Sequence, residues 1–185
     1  MRVSKQAVIE AACNIADKEG LSGVSLKAVA EKLAIRAPSL YNHIESLEQL
    51  LHEVAHVGMK EMNLRMTRCA IGVAGEDAVI AIAFEYLGYM VEHPGVYETI
   101  QWATWHDDDE TAALFEQYLS LVASIIERCD FKSEDVGEIV DLLTGFLHGY
   151  TTMQAGYAFT DIDFVKERFK KAIEAVMLGI RQKYA

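Results

Sequence analysis

Apolar residues recur every three to four positions along most of the chain, and this spacing predicts amphipathic helices. The clearest buried face follows Ser25, a residue type that is favoured at helix N-caps. Its four apolar positions have the spacing i, i+3, i+4 and i+7: Leu26, Val29, Ala30 and Leu33. No alternating pattern of useful length indicates a strand, and we therefore predict an all-α fold.

A second short helix is predicted directly after this one, behind a turn at Ala34 and Ile35. Pro38 suits the first turn of a helix, because the N–H that it lacks would have no partner there. Leu40 and Ile44 are four positions apart and are expected to face inward. The polar side chains around them are then left facing outward: Ser39, Tyr41, Asn42 and His43.

Longer helices are predicted on either side of this pair. One covers residues 4–19, and Ser46 with Gln49 forms a capping box that begins the other. A helical domain that exposes a short polar helix at one corner is typical of proteins that read the major groove of DNA.

The segment VAEKLAIRAPSLYNHIESLEQLL, residues 29–51, resembles the DNA-binding domain of the tetracycline-repressor (TetR) family. That family typically shows a pattern such as IA-x-x-x-GV-x-x-x-x-LY-x-HF-x-x-K-x-x-L. The match lies in Leu40-Tyr41 and His43, with Ile44 in place of the aromatic residue, and the resemblance is specific over about residues 4–51.

The resemblance implies an N-terminal three-helix helix-turn-helix DNA-binding domain, residues 1–46. It also implies a C-terminal helical ligand-binding and dimerisation domain, residues 47–185. By the resemblance, five residues approach base edges: Lys27, Arg36, Ala37, Ser39 and Asn42. Tyr41, His43 and the N–H groups near Ser46 meet phosphates, and Pro38 belongs to the same surface.

Two residues depart from the family pattern. Ala34 replaces the usual turn glycine, at a cost of about 1 kcal/mol if the position needs a left-handed backbone. Leu47 replaces a lysine that normally meets a phosphate. A helical small-molecule-binding module that has lost DNA binding is therefore the alternative interpretation.

Charge alone neither favours nor excludes DNA binding. The 185 residues include 17 Lys and Arg against 28 Asp and Glu, for a net charge of −11. Residues 1–46 hold six basic and five acidic side chains, so the remainder of the chain carries a net −12. The acidic charge therefore lies outside the predicted DNA-binding domain, and it favours a neutral or cationic effector.

Composition also bears on location. The start of the chain has no 7–15-residue apolar core of the kind that signal peptides need, and no uninterrupted apolar run reaches the ~18 residues of a membrane span. We therefore expect a cytoplasmic protein without membrane contact. Cys13, Cys69 and Cys129 are widely separated, which favours buried reduced thiols over redox or metal chemistry.

Beyond Leu51 the pattern predicts a succession of further helices. Their expected bounds are 47–73, 76–93, 96–104, 111–128, 133–157 and 161–183. The last two are rich in small and apolar residues, and in the resembled family the corresponding helices form a four-helix dimer bundle. We therefore expect a homodimer on a palindromic operator, although both helices could instead complete the core of a monomer.

An effector pocket is predicted among the helices between Leu47 and Arg128, beside that bundle. The effector is expected to be small and mostly apolar. The candidate lining is mainly aromatic: Tyr86, Tyr89, Met90, Trp102, Trp105, Tyr118, Phe146, His148, Tyr150, Thr151 and Met153.

One motif favours another class of protein. His52-Glu53-Val54-Ala55-His56 has the H-E-x-x-H spacing of zinc peptidases, in which two histidines bind zinc and the glutamate activates water. The alternatives are adventitious or regulatory metal binding, and two ordinary helix histidines. We favour the last, because leucine periodicity explains the burial and no motif signals a third ligand.

The acidic run from Asp107 to Glu110 is interpreted as a helix start, and not as a metal site. The sequence shows no nucleophile–base pair, phosphate loop or cofactor fingerprint. We therefore predict a ligand-responsive transcriptional regulator, with a repressor favoured, and neither an enzyme nor a protein that carries a metal or another cofactor.

Overall fold

The computed structural model describes residues 3–155 and 161–184, and both ranges are helical with no strand in either. The α-helices are α1 Lys5–Glu19, α2 Leu26–Lys32, α3 Leu47–Cys69, α4 Gly75–Glu92, α5 Pro94–Ala103, α6 Asp109–Ile126, α7 Val136–Ala155 and α8 Ile162–Tyr184. Short 3-10 helices cover Leu21–Gly23, Ala37–Asn42 and Ser133–Asp135. The all-α prediction is confirmed.

Most predicted helix bounds lie within three residues of the observed ones, and the following points differ more or lie outside the described residues. The second short helix is a 3-10 helix, Ala37–Asn42. The long helix expected to reach Val73 ends at Cys69, before Gly72 with its positive φ of 79°. The end predicted for the seventh α-helix, Tyr157, lies outside the described residues.

The chain packs into two compact units. Unit 1 comprises Met1–Glu61 and Glu92–Phe115, and unit 2 comprises Met62–Val91 and Glu116–Ala185. The division predicted after residue 46 rests on the family resemblance and stays a prediction. Packing groups the N-terminal helices with α5.

Within unit 1, α5 lies directly against α1. A Cβ added to Gly95 would overlap the carbonyl group of Ala16, so the two backbones approach as closely as only glycine allows. The Asp17 carboxylate accepts hydrogen bonds from Gly95 N at 3.1 Å and Val96 N at 3.0 Å, which caps α5 from outside the helix. Its second oxygen lies 2.9 Å from His93 Nδ1.

Within unit 2, α8 buries one stripe of side chains at helical spacing: Val165, Phe169, Ile173, Met177, Ile180 and Tyr184. Its C-terminal end is fixed by two polar contacts. Tyr184 donates a hydrogen bond to Glu138 on α7 at 3.1 Å, and Arg181 Nε donates to Glu76 on α4 at 2.7 Å.

All three cysteines are free thiols of intermediate exposure. Burial, assisted by the charge of Asp17, raises the pKa of Cys13 to about 12. Burial also raises the pKa of Cys69 and of Cys129. Since the thiolate is the reactive form, these shifts disfavour reaction of the three thiols at neutral pH.

Candidate nucleic-acid interface

The turn between α2 and the short 3-10 helix has the geometry that a helix-turn-helix requires. Ser25 Oγ accepts a hydrogen bond from Ala28 N at 3.1 Å, which confirms the predicted N-cap of α2. At the other end, Ile35 N donates to Ala30 O at 3.0 Å and Ala34 adopts a φ of 53°. Ala34 is thus a non-glycine residue in the left-handed region, where an L side chain is strained.

We expect Ala34→Gly to raise the free energy of unfolding by about 1 kcal/mol, because glycine adopts this backbone conformation without a Cβ clash. Urea unfolding followed by circular dichroism measures the change. Gly88→Ala is the reverse change at an interior position of α4, where an added Cβ meets nothing within 4 Å. An Ala34→Gly protein less stable than the wild type would show that the turn carries no strain.

The recognition segment, which we define as Ala37–Asn42, is anchored by apolar residues and exposes polar ones. Leu40 and Ile44 are fully buried, as predicted. On the opposite side, Tyr41 is 59% exposed, and Arg36, Pro38 and Asn42 are exposed as well. Three other predicted contact residues are half-buried: Ala37, Ser39 and His43. The predicted contact residues of the segment are thus all at least partly exposed.

The start of α3 borders this surface. Ser46 Oγ accepts a hydrogen bond from Gln49 N at 3.0 Å, and the Gln49 side chain accepts one from Glu45 N at 2.7 Å. The capping box is confirmed. In the usual motif the second side chain accepts from the N–H of the N-cap residue, whereas here Gln49 accepts from the N–H of Glu45, one residue before Ser46. Ser46 itself is exposed, and Leu47 is half-buried where the family pattern has a lysine.

Lys27 is the predicted contact residue on α2. It is exposed and lies 3.9 Å from Glu31 one turn later. Exposed pairs of this kind contribute little, so the ammonium group can exchange Glu31 for a phosphate at small cost.

The predicted effector residues divide between the two units. Trp102 and Trp105 belong to unit 1, and the other nine belong to unit 2. Within unit 2, five of the nine are buried: Tyr86, Tyr89, Met90, Tyr118 and Thr151. The rings of Tyr86 and Tyr118 are 6.1 Å apart, and those of Phe146 and Tyr150 are 5.6 Å apart.

Three candidates do not suit an enclosed pocket. Trp105 is 88% exposed, Met153 is 63% exposed, and His148 is exposed on α7. Aromatic character alone does not require burial, and the effector set stays a prediction. Thr151 is buried, but its hydroxyl donates to Leu147 O at 2.7 Å on its own helix and does not face an open space.

Unit 2 also contains a half-open groove of about 630 Å³. It lies between the end of α3, the loop that leads into α4, and the second half of α6. Its lining includes Ile71, Val73, Leu121 and Ile125, with one cation, Arg128. No predicted effector residue lines it.

A buried polar cluster in unit 1 includes both histidines of the H-E-x-x-H motif. His52 is 9% exposed and His56 is 6% exposed. His56 Nε2 lies 2.9 Å from Asp108 Oδ1 and 2.9 Å from Thr111 Oγ1. No local pattern indicates Asp108 in this role, because it is 52 positions from His56 along the chain.

Asp108 also caps α6. Its Oδ1 accepts hydrogen bonds from Thr111 N at 2.7 Å and from the Thr111 hydroxyl at 3.0 Å, so the helix start predicted at the acidic run is confirmed. The bond from Thr111 N, with smaller contributions from that hydroxyl and His56, lowers the pKa of Asp108. The carboxylate is therefore ionised at neutral pH.

Glu53, the glutamate of the motif, does not belong to this cluster. Its carboxylate pairs with Lys5 on α1. A glutamate that is held in an ion pair away from the histidines is not placed to activate a water molecule between them. The structure therefore argues against the zinc-peptidase alternative.

The fold and this surface define a class of protein: an all-α regulator with an N-terminal helix-turn-helix. The family model described as tetracyclin repressor-like, C-terminal domain matches residues 79–176. The chain is 30% identical over 179 residues to the uncharacterised HTH-type transcriptional regulator YobS of Bacillus subtilis. The alignment covers 96% of this chain and 93% of the relative. The chain belongs to the TetR family of transcriptional regulators.

Solved structures show the same fold. A TetR transcriptional regulator from Streptomyces coelicolor aligns with a TM-score of 0.73 at 18% identity, covering 97% of this chain and 98% of that one. A TetR protein from Acinetobacter baumannii, solved in complex with minocycline, aligns with a TM-score of 0.68 at 15% identity, covering 100% and 99%.

Family membership settles the class of function. The chain is a ligand-responsive transcriptional regulator and not an enzyme. Proteins of this family bind DNA operators and small-molecule ligands, typically as dimers. No helix in the described part of the chain is long and apolar enough to cross a membrane.

Proposed function

We propose that this chain represses transcription by binding a palindromic operator as a homodimer, through the recognition segment and α2. The observation that carries the proposal is the surface formed by Arg36, Tyr41 and Asn42 above the buried anchors Leu40 and Ile44. A short polar segment held rigidly by two buried side chains is suited to the major groove, where base edges differ in their hydrogen-bonding pattern.

The operator is found by selection from random duplexes with purified protein. We expect an enriched palindrome whose half-sites are about one helical turn apart, since each protomer presents one recognition segment. Selection that enriches no sequence would favour the alternative, a ligand-binding module that no longer reads DNA.

Two substitutions separate base reading from phosphate binding. Asn42→Ala should weaken binding to the selected operator by roughly 1–3 kcal/mol and relax the preference at one base pair, because an amide can pair with a base edge. Tyr41→Phe removes one hydroxyl, and it should weaken selected and random duplexes alike, because phosphates carry no sequence information. Fluorescence anisotropy at fixed salt measures both.

The matched control is Gln117→Ala, which removes an exposed amide from α6 in unit 2. It should leave both affinities unchanged. If Asn42→Ala behaved like this control, the recognition segment would not read bases.

For the dimer, the support is a face of α7 that residues 3–155 and 161–184 leave exposed. Leu142 is 47% exposed and Met153 is 63% exposed, and between them Gly145 and Gly149 lie on the same side of the helix. Small residues between two large apolar ones allow another helix to approach closely. On α8, Phe164 and Leu178 are exposed at the heptad spacing that suits such packing.

For the effector, we propose a small, mostly apolar molecule bound by the aromatic residues of unit 2. Support comes from the neighbouring rings of Tyr86 and Tyr118. The hydroxyl of Tyr118 also lies 3.3 Å from the hydroxyl of Thr144, and a bound molecule can replace either hydroxyl as hydrogen-bond partner. Binding would stabilise one state of the dimer over another and so change operator affinity.

Any such change must reach α1, the first helix of the DNA-binding domain. Within unit 1, Asp17 caps α5, and Glu98 on α5 accepts a hydrogen bond from Leu21 N at 2.8 Å. Because these bonds join α5 to the last turn of α1 and to the 3-10 helix that follows it, a displacement of α5 displaces α1 with it.

A further inference from the structure

The cluster around His56 brings three metal-binding side chains together. His52 and His56 are four residues apart on one face of α3, and Asp108 lies directly before α6. One ligand atom from each lies within 4.8 Å of the others. Both imidazoles are buried, so their geometry is set by packing and not by solvent.

Hydrogen bonds within the protein pair His56 and Asp108 well but His52 poorly. Thr111 Oγ1 is the polar atom shared by all three, at 2.9 Å from His56 Nε2, 3.0 Å from Asp108 Oδ1 and 3.5 Å from His52 Nδ1. That hydroxyl has one proton and donates it to Asp108, and an imidazole nitrogen can donate in turn, since His56 Nε2 also lies 2.9 Å from Asp108 Oδ1. The contact to His52 is at the outer limit for a hydrogen bond, which leaves a buried imidazole nitrogen weakly paired.

A second carboxylate lies beside one of the ligands, within ion-pair distance. His56 directs Nε2 into the cluster, while its Nδ1 lies 3.5 Å from Glu110 Oε2. Glu110 in turn pairs with Lys60. A histidine that binds a metal through one nitrogen usually directs the other to a carboxylate, which fixes the tautomer and raises the basicity of the ligating nitrogen.

We propose that His52, His56 and Asp108 bind one divalent transition-metal ion of the zinc class. Two imidazoles and one carboxylate form a ligand set for Zn²⁺, Fe²⁺ or Co²⁺, whereas Mg²⁺ and Ca²⁺ prefer oxygen ligands alone. Ligand atoms in a tetrahedral zinc site lie about 3.4 Å apart, given bond lengths of about 2.0–2.1 Å. Small side-chain rotations would bring the three atoms to that spacing.

With three protein ligands, the ion keeps at least one position for water or for a donor atom of a bound molecule. Since Glu53 is paired with Lys5, the site lacks the base that hydrolysis would need. The ion therefore binds and cross-links: it joins the second turn of α3 to the start of α6 within unit 1. This inference does not depend on the operator or the effector proposed above.

The first test uses full-length protein freed of metal by chelation and then dialysed. Titration with Co²⁺ should give one ion per chain and visible absorption bands of a four- or five-coordinate site, which Zn²⁺ then removes by competition. Zn²⁺ should also raise the melting temperature, because an ion that binds the folded state stabilises it. Mg²⁺ at the same concentration should do neither.

A matched pair of substitutions locates the ion. Asp108→Asn keeps a residue suited to the N-cap of α6 but removes the ligating charge, and it should weaken Co²⁺ binding at least tenfold. Asp107→Asn makes the same change at the exposed neighbouring position and should leave binding unchanged. His52→Gln should weaken binding like Asp108→Asn, and Glu110→Gln should weaken it roughly tenfold through His56.

Circular dichroism confirms that each variant is folded. If the wild type binds no Co²⁺ or Zn²⁺ at micromolar concentration, the proposal is wrong. It is equally wrong if the ion binds but Asp108→Asn and Asp107→Asn have the same affinity, because the metal would then lie elsewhere on the chain.

Discussion

Gly95→Ala should destabilise the protein by about 3 kcal/mol or more. The added Cβ would overlap the carbonyl oxygen and carbon of Ala16, and backbone atoms of a helix cannot rotate away as a side chain can. Helix α5 must then retreat from α1, and the two hydrogen bonds that Asp17 accepts from Gly95 N and Val96 N are lost with the contact. Urea unfolding monitored by circular dichroism measures the loss.

Gly88→Ala makes the same chemical change in α4, where an added Cβ meets no atom within 4 Å. There, alanine should stabilise the helix by roughly 0.5–1 kcal/mol. Opposite signs for the two substitutions would show that the close approach, and not helix propensity, decides the result at Gly95. Equal effects would mean that α5 is not held against α1 as the structure has it.

We expect the Gly95 contact to affect DNA binding as well as stability. It holds α5 against α1, the first helix of the predicted DNA-binding domain. Asp17 on α1 stabilises the contact by accepting a hydrogen bond from Gly95 N. A variant that still folds with α5 displaced should therefore bind the operator more weakly, although Gly95 is not a predicted DNA-contact residue. We expect Asp17→Asn, which can still accept at one oxygen, to have a smaller effect than Gly95→Ala.

Local signals predicted the helix-turn-helix well. Caps depend on residues only three or four positions apart, so Ser25 and Ser46 could be identified without tertiary information, and both make the predicted bonds. The same holds for the anchors Leu40 and Ile44. The 3-10 geometry of the recognition segment was missed, because apolar spacing over so few residues does not distinguish it from an α-helix.

Contacts between distant parts of the chain were not predictable in this way. The sequence indicates that Pro94 interrupts a helix, but not that Asp17 would cap the next one from 78 positions away. Likewise Asp108 was interpreted only as a helix start, a role it does have, and its second contact with His56 requires the fold. When one side chain makes both a local and a long-range contact, the sequence indicates only the local one.

The effector residues were the least predictable of the candidate sites. Aromatic composition favoured both tryptophans, yet Trp105 is exposed and Trp102 stacks on His106 with ring centroids 4.0 Å apart. Large apolar residues also occur on protein surfaces, so their presence alone does not define a pocket. A hydroxyl such as that of Thr151 can satisfy itself on its own helix, which sequence inspection does not reveal.

The largest effect on DNA binding is expected from Gly149→Glu. Gly149 lies at the centre of the exposed face of α7, between Leu142 and Met153, and an added Cβ there meets nothing within 4 Å in the same chain. The fold of the protomer should therefore survive, and the helix itself should gain from the loss of glycine. Across a two-fold axis, however, the substitution brings a carboxylate from each protomer into one apolar interface.

Light scattering should give twice 20.6 kDa for the wild type at micromolar concentration and 20.6 kDa for Gly149→Glu. Operator affinity should fall roughly 100-fold, since each half-site is then bound without the other.

The control is Gly137→Glu, on the same helix but about 120° around its axis. Gly137 is also exposed and has open space beside it, so this variant should stay dimeric. Val176 on α8 is a poorer site for the test, because it is half-buried within the chain and a charge there would also disturb the protomer. A Gly149→Glu protein that remains a dimer would place the interface elsewhere, and a wild-type monomer that binds the whole palindrome would exclude the homodimer.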